Sequence, residues 1–341
     1  MVHLEIQKGR TKDLILLGRV AIDLNPIDHF KPLSESETFK RYLGGSPANI
    51  AVGASRHGLK VGFLGRVSDD QFGDFALNYF EKEGIDTSYI KRCEHGENLG
   101  LTFTEILSPA ESQILMYRKG VADLQLSMQD IEEEYIKDAK VLLISGTSLS
   151  ASPSREAALK ALALAKKHKT IVVFDIDFRN YTWKHQEDVA VYYGAVGQQA
   201  DMIIGSREEF DLMEQFLGSG WTDEQSAHYW QSKGASIVVI KHGKEGSRAY
   251  LAQGEAYQVD PFPVQLLKSF GGGDGYASGL LYGLLTGWDI SRSLEFGSAQ
   301  AAMMVGSHSC SEDLPGTEQV EAFIKKAKQG VSVEFVKELP R

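Results

Sequence analysis

Two short apolar runs, Val141-Leu-Leu-Ile144 and Thr170-Ile-Val-Val-Phe174, lie on either side of a segment from Ser154 to Lys167 whose apolar residues recur at helical spacing. Short apolar runs are typical of strands that are buried on both faces of a sheet. The segment between them has the period of an amphipathic helix. A strand, a helix and a second strand in this order predict two parallel neighbours joined by a helical crossover.

The same alternation continues on both sides of this unit. It predicts an α/β fold with a mostly parallel central sheet and helices on both faces, formed by residues 1–341 as a single domain. Further strands are predicted at 13–18, 60–65, 202–204 and 237–240, and further helices at 47–57, 70–82 and 223–233.

Two segments, 23–45 and 98–118, interrupt the alternation. The first contains no clear helix, and in the second, polar and apolar residues alternate around a Ser-Pro-Ala turn at 108–110, which predicts a β-hairpin. We expect the two segments to pair into a small sheet that forms a lid over the C-terminal edge of the main sheet, where ligands of α/β proteins bind. An edge extension used only for dimerisation is the alternative, and the two roles are compatible.

Composition excludes several classes of protein. A net charge of −10 argues against a nucleic-acid partner, which usually meets a basic face. The two cysteines, Cys93 and Cys310, do not make a disulfide framework, and no Cys/His cluster has zinc-ligand spacing. No apolar stretch reaches the roughly 18 residues that span a membrane, and residues 1–13 lack the apolar region of a signal peptide. The expected location is the cytoplasm.

A glycine-rich turn is the sharpest functional feature: Lys268-Ser-Phe-Gly-Gly-Gly-Asp-Gly-Tyr-Ala-Ser-Gly279. Consecutive glycines allow the backbone to approach a ligand closely, and free N–H groups at a helix start favour an anion. Asp274 opens the apolar helix that follows and could act as a general base. The alternative is a simple helix cap, because Asp is a favoured N-cap residue.

Other phosphate-binding motifs are missing from the sequence. The glycines fit neither G-x-G-x-x-G nor the P-loop pattern G-x-x-x-x-G-K-[ST]. A nicotinamide dehydrogenase would need the first of these after the first strand, where Gly18-Arg-Val-Ala-Ile-Asp23 lacks it.

A second motif, Gly44-Gly45-Ser-Pro-Ala-Asn49, begins the first helix. Together with the Gly-x-Gly-Asp segment near the C-terminus, it resembles the ribokinase-like (PfkB) carbohydrate kinase family over nearly the whole chain. The resemblance implies that Asp274 takes the proton from a sugar hydroxyl. It implies an anion hole at the N–H groups of Gly271, Gly272 and Gly273, and sugar contacts from Gly44, Gly45, Asn49 and Asp23.

The resemblance also implies a nucleotide site for ATP and Mg²⁺, and it leaves a monovalent cation open. Ser206-Arg-Glu-Glu209 stands where the family has Asn-x-x-Glu, so that Glu209 would organise the metal indirectly. The loop Lys241-His-Gly243-Lys-Glu-Gly246 resembles a nucleotide-phosphate loop, with Ser206, Lys241, Gly243 and Gly246 as its contacts. Lys268-Ser269 replaces the Asp-Thr pair that usually precedes the anion hole.

The acceptor is expected to carry a carboxylate. Arg179 follows a buried strand in a segment that resembles the Asp-x-Asn-x-Arg stretch of 2-keto-3-deoxygluconate kinases, and Arg118 ends the lid hairpin where those kinases place another arginine. An arginine can hold a carboxylate through two hydrogen bonds, although surface salt bridges are the alternative for both residues. The runs 266–270 and 309–315 resemble a branch of the family that acts on a keto-deoxy sugar acid of myo-inositol catabolism.

Several functions remain open from the sequence. A 2-keto-3-deoxygluconate kinase and a fructokinase are alternatives within the family, and a non-catalytic sugar-binding regulatory protein is the alternative from another class. A homo-oligomer formed through the lid is expected.

Overall fold

The strands and helices follow the predicted alternation. The computed structural model describes residues 4–109 and 111–328, and for the backbone also 333–338. Its strands are β1 (Lys12–Leu17), β2 (Ala21–Pro26), β3 (Phe39–Gly44), β4 (Val61–Val67), β5 (Ile90–Arg92), β6 (Gly100–Ser108), β7 (Glu111–Tyr117), β8 (Ala139–Ser145), β9 (Ile171–Asp175), β10 (Met202–Ser206), β11 (Ile237–Lys241), β12 (Ser247–Leu251), β13 (Glu255–Val259) and β14 (Val333–Glu338).

Its helices are α1 (Ser46–Arg56), α2 (Gln71–Lys82), α3 (Glu133–Lys137), α4 (Ser154–His168), α5 (Glu187–Gly197), α6 (Arg207–Glu214), α7 (Asp223–Ser232), α8 (Gly272–Leu285), α9 (Ile290–Val305) and α10 (Thr317–Ala327). Among the described residues, no helix has both the length and the apolar composition that crossing a membrane requires.

The large sheet has the strand order β14-β13-β12-β11-β10-β9-β8-β1-β4-β5. From β11 to β5 in this order, all neighbouring strands are parallel. At the other edge, β12, β13 and β14 are each antiparallel to the strand before them in the chain. The predicted strand–helix–strand unit over residues 141–174 is present: β8 and β9 are parallel neighbours with Val141 opposite Ile171, and α4 connects them. The expected α/β class with a mostly parallel sheet is confirmed.

Both faces of the central strands are buried, which explains why their sequences are continuous apolar runs. In β1, Leu14 and Leu16 pack into one core and Ile15 and Leu17 into the other, and all four side chains are inaccessible to solvent. Helices α1 and α8 contribute to the first core, and α4 and α5 to the second. Parallel sheets occur almost only with both faces covered in this way.

A separate four-stranded sheet has the order β3-β2-β6-β7 and contains both segments that interrupt the alternation. Strands β6 and β7 form the predicted hairpin, and β2 pairs with β6 in parallel and with β3 in antiparallel orientation. We call this small sheet the lid. The alternation of polar and apolar residues in its strands arises because only one face of the sheet is covered. Burial alternates along β6, and Leu115 and Tyr117 of β7 are largely exposed.

Candidate active site

The carboxyl ends of the parallel strands bring the predicted site together at one edge of the large sheet. Asp175 ends β9, Ser206 ends β10 and Lys241 ends β11. The N-terminus of α8 lies against them, because a side-chain carbon added at Gly273 would stand 3.5 Å from Lys241 Nζ. This is the edge at which ligands of open α/β sheets bind.

The glycine turn adopts a backbone that only glycine tolerates well. Gly271 has a φ of 87° and forms the N-cap of α8, and a Cβ there would lie 2.7 Å from Cys310 Sγ. The helix begins at Gly272, so that Asp274 is its third residue and not its cap. The alternative that Asp274 serves only to cap the helix is therefore wrong, and its carboxylate is directed to another partner.

That partner is the other glycine motif. Asn49 Nδ2 in the first turn of α1 donates a 2.7 Å hydrogen bond to Asp274 Oδ2. Burial is the largest influence on Asp274 and raises its pKa, as does the Asp177 carboxylate, while hydrogen bonds from Asn49 and Ser46 oppose the shift. A higher pKa makes a carboxylate a stronger proton acceptor, as long as it is ionised at the working pH.

Three buried polar atoms near this pair have no hydrogen-bond partner among the described residues: Asn49 Oδ1, Asp23 Oδ1 and Arg19 Nε. Asp23 lies under the lid, where the Gly44 backbone is so close to its carboxylate that a Cβ would overlap it. Burial raises the pKa of Asp23 to about 6, against the opposing charge of Arg19. Buried polar groups normally have partners, so this group of atoms indicates the place of a polar ligand.

Carboxylates crowd the edge between β9 and β10. Burial raises the pKa of Asp175, Lys241 opposes the shift, and the charges of Asp177, Glu209 and Asp274 add to it. Asp177 has a φ of 37°, a strained value for a residue with a side chain, and its Oδ2 accepts a 3.0 Å hydrogen bond from Ser145. Mutual repulsion of this kind is relieved when a cation is bound.

Glu209 holds two of the surrounding loops in place. Its Oε1 accepts from Phe178 N at 2.8 Å and its Oε2 from Ser206 N at 2.7 Å. Ser206 completes a capping box at the start of α6, with its hydroxyl accepting from Glu209 N. Both carboxylate oxygens accept backbone hydrogen bonds, so Glu209 fixes the segments that follow β9 and β10, which is compatible with the indirect metal role expected for it.

The predicted nucleotide loop follows β11 directly. Gly243 and Gly246 flank a single turn of 3-10 helix, and both have positive φ angles of 56° and 86°. His242 Nε2 lies 2.7 Å from an Asp223 oxygen, which ties this loop to the start of α7. Of the four predicted nucleotide residues, Ser206 and Lys241 stand at the strand ends, and the two glycines shape the adjoining turn.

The two arginines predicted to contact an acid group have different surroundings. Arg118 is buried, and it donates to Asp123, to the Thr147 carbonyl oxygen at 2.9 Å and to Ser150 Oγ at 3.3 Å. These contacts, with a second bond from Nε to Asp123, occupy four of its five N–H groups. The geometry therefore supports a bracing role for Arg118 beneath the lid.

Arg179 is more accessible. Its side chain is 32% exposed, and it forms a 2.7 Å ion pair with Asp177. Its Nη1 donates to the Phe178 carbonyl oxygen at 2.9 Å. This arginine can turn towards a ligand, but its charge is already offset by Asp177.

Lys268, which departs from the family pattern, lies in the interior. Its side chain is inaccessible to solvent, and Nζ donates to the Ser309 carbonyl oxygen at 2.8 Å and approaches Cys310 Sγ at 3.4 Å. Its side chain also lies close to Gly271, where an added Cβ would stand 3.7 Å from Lys268 Cε. A fixed positive charge is thus built in behind the glycine turn.

Arg19, Asp175 and Asp177 were not assigned roles from the sequence, although all three lie at this edge. Asp175 ends a buried strand, and Arg19 and Asp177 lie two residues beyond the end of one, and that position is the signal that could have identified them. Among the described residues, no group of three or more His, Cys, Asp or Glu side chains has the arrangement of a metal site.

The fold and the site together define a carbohydrate kinase of the ribokinase-like type. A family model described as "pfkB family carbohydrate kinase" matches residues 11–317, so the chain belongs to the pfkB family and is a sugar kinase. The resemblance that rested on the two glycine motifs is confirmed.

Relatives within the family are more specific. The 5-dehydro-2-deoxygluconokinase of Clostridium perfringens is 61% identical to this chain over 329 residues, which cover 96% of this chain and 97% of the relative. The crystal structure of fructokinase with bound ATP from Xylella fastidiosa has a TM-score of 0.81 at 25% identity and covers 93% of this chain and 100% of its own. The PfkB protein from Polaromonas sp. JS666 has a TM-score of 0.80 at 27% identity, with coverage of 92% and 100%.

Proposed function

We propose that this kinase transfers the γ-phosphoryl group of ATP to a hydroxyl of 5-dehydro-2-deoxy-D-gluconate. The identity to kinases named for this substrate supports the choice of acceptor, since 61% over nearly the full length is far above the similarity to the fructokinase. The alternatives within the family are 2-keto-3-deoxygluconate and fructose. A product of this kind would be consumed in the breakdown of myo-inositol, in line with the sequence resemblance.

The observation that carries the catalytic part of the proposal is the Asn49–Asp274 hydrogen bond. It joins the two glycine motifs, so that a hydroxyl bound between them would meet a carboxylate oriented by a neutral donor. Asp274 would accept the hydroxyl proton as the oxygen attacks the γ-phosphorus, and the bond to the leaving ADP oxygen would break. The N–H groups of Gly271, Gly272 and Gly273 and the Lys241 ammonium would stabilise the charge on the transferring group.

The sugar would occupy the space beside the unpartnered atoms. Asp23 Oδ1 and Asn49 Oδ1 can each accept a hydrogen bond from a hydroxyl. Gly44 and Gly45, whose backbones lie close to Asp23 and Arg19, would line the same space without side chains. Ser206, Gly243 and Gly246 would contact the nucleotide from the other side. Closure of the lid over this space would exclude water from the phosphoryl group.

The carboxylates at the edge fit Mg²⁺. This ion is commonly held by one or two carboxylates together with substrate phosphates, and its charge would relieve the carboxylate repulsion that adds to burial in raising the pKa of Asp175. Asp175 would contact the ion or its water, and Glu209 would act through a water molecule. When bound, Mg²⁺ neutralises charge on the β- and γ-phosphates.

We infer that the residues around Lys268 would not hold a monovalent cation alongside the ammonium group. The Lys268 ammonium already donates to the Ser309 carbonyl oxygen, and a second cation nearby would be repelled in a dry interior. On this proposal, the lysine would supply the positive charge that an ion would otherwise bring.

We therefore expect turnover without potassium. The kcat measured in potassium chloride should equal that in sodium chloride and in N-methylglucamine chloride at the same ionic strength. An increase in kcat that saturates with potassium in this series would show that an ion site exists despite Lys268.

The proposed function is tested by ADP release from the purified protein with 5-dehydro-2-deoxygluconate, 2-keto-3-deoxygluconate, fructose and ribose. We expect the highest kcat/KM for the first compound. A higher value for either of the next two would replace it as the substrate. Absence of ADP release with every sugar, combined with measurable sugar binding, would instead favour a regulatory sugar-binding protein.

Two further expectations rest on the sequence and on the shape of the lid. A homo-oligomer through the lid agrees with the exposed apolar side chains there, since Leu115 and Tyr117 are 41% and 58% exposed. A cytoplasmic location agrees with the use of ATP and with the two unpaired, buried cysteines.

A further inference from the structure

Arg19 directly follows Gly18 at the end of β1 and turns its side chain under the lid. Its Nη1 lies 3.3 Å from Thr102 Oγ1 of β6 and 3.7 Å from Met116 Sδ of β7. The residue is only 5% exposed. Its charge acts on Asp23, which supports a position inside the proposed sugar space.

The guanidinium group is poorly satisfied for a buried charge. Within the part of the chain that the structure describes, no carboxylate lies within ion-pair distance of Arg19, and Nε has no hydrogen-bond partner at all. Burial lowers the pKa of Arg19 and the neighbouring charge of Arg118 adds to this effect, while the charges of Asp23 and Asp177 oppose it only in part. An unpaired buried charge normally costs several kcal/mol, so a retained one indicates an anionic ligand.

The other two arginines near the lid differ on this point. Arg118 is paired with Asp123, and Arg179 is paired with Asp177. An incoming carboxylate would have to compete with an existing ion pair at either residue. At Arg19 it would supply the missing partner, so the free energy gained per contact is greatest there.

We propose that Arg19 is the residue that binds the carboxylate of the sugar acid and thereby selects acids over neutral sugars. This inference rests on the proposed function. It assigns the carboxylate contact to Arg19, whereas the sequence led us to expect Arg179 and Arg118 in that role. The substrate would then lie with its acid group under β6 and β7 of the lid. Its acceptor hydroxyl would lie at the Asn49–Asp274 pair.

The test compares the wild type with Arg19→Met and Arg179→Met, using 5-dehydro-2-deoxygluconate and its uncharged primary amide as acceptors. For Arg19→Met we expect KM for the acid to rise about 100-fold, the loss typical of a buried charged partner, with little change for the amide. For Arg179→Met we expect the preference for acid over amide to be largely kept. The KM for ATP should be close to that of the wild type in the Arg19 variant.

A thermal unfolding series separates binding from a structural role. Removing an unpaired buried charge should leave the Tm of the unliganded Arg19→Met protein equal or higher, while the Tm gain on adding the acid should disappear. A lower Tm without ligand, together with equal KM changes for acid and amide, would make Arg19 structural and overturn the inference. A larger loss of acid preference in Arg179→Met would assign the carboxylate to Arg179.

Different results would reject the proposed substrate and the proposed role of Arg19. A wild type that releases no ADP with the acid would reject the proposed substrate. A wild type that phosphorylates the acid, but whose acid preference survives in Arg19→Met, would reject only the role of Arg19.

Discussion

Asp274→Asn is expected to lower kcat by about 1,000-fold, the range typical of the loss of a positioned general base. Asparagine has nearly the same shape, but its amide cannot accept the hydroxyl proton. The affinity for ATP should change little, because the N–H groups of the glycine turn remain. Single-turnover measurement of ADP formation, together with ATP binding by calorimetry, checks both parts.

Asp70→Asn is the matched control for this substitution. Asp70 also lies at the start of a helix, where its Oδ1 accepts from the N–H groups of Phe72 and Gly73 at 2.9 Å. Asparagine is also a favoured N-cap, so kcat should not change appreciably. Stability should fall slightly, because, against the opposing effect of burial, hydrogen bonds from Ser68 and the N–H groups lower the pKa of Asp70 and favour its charged form. An Asp274→Asn enzyme with the turnover of the wild type would remove Asp274 from the role of base.

The pH dependence of kcat/KM in the wild type is an independent test of the raised pKa values of Asp274 and Asp23. Burial raises the pKa of Asp274 above its ordinary value and that of Asp23 to about 6. A protonated carboxyl cannot accept the hydroxyl proton. We therefore expect kcat/KM to fall as the pH is lowered through the raised pKa values of these two carboxyl groups. An acid limb as low as the pKa of an ordinary exposed aspartate would contradict the raised values.

Gly271→Ala is expected to lower kcat by about 100-fold, because a displacement of about 1 Å at a reacting group has an effect of that size. The alanine would have to hold a φ of 87°, and its Cβ would lie 2.7 Å from Cys310 Sγ, so the turn must move. That movement misdirects the N–H groups that would hold the γ-phosphate. Steady-state kinetics with saturating ATP and acceptor measures the loss.

Gly287→Ala separates backbone strain from the effect on the site. Gly287 has a φ of 86° after the end of α8, and a Cβ there would meet nothing within 4 Å. Both variants should lose about 1–2 kcal/mol in the free energy of unfolding from the left-handed backbone. Only Gly271→Ala should lose turnover, and equal kinetics in the two variants would show that the turn is not an anion hole.

Much of the fold was predictable because its signals are local. Every strand and helix predicted from an apolar run or a helical period is present, with ends that differ by one or two residues. The hairpin around 108–110 was equally visible, although residue 110 itself lies outside the described residues. The start of α8 is at Gly272 and not at Asp274, and this difference arises because three glycines carry no periodic pattern and the cap is set by the backbone of Gly271.

The site was predictable where a motif marks it and unpredictable where partners decide it. Gly44, Asn49 and Asp274 were identified from two motifs, and the structure brings them to one edge. The sequence could not show that Arg118 and Arg179 each have a carboxylate partner while Arg19 has none among the residues that the structure describes. In the sequence, a paired arginine cannot be distinguished from an unpaired one.

The sequence by itself determined the class of fold, the family and the position of the glycine turn, because strand and helix periods and glycine motifs are properties of neighbouring residues. Only the tertiary structure decided that Asn49 orients Asp274 across 225 positions and that Lys268 is buried behind the turn. It also decided that Arg19 has no ion pair within the described part of the chain. These properties depend on which distant side chains approach one another and on how much water is excluded between them. Charge pairing and burial therefore appear only after the chain has packed.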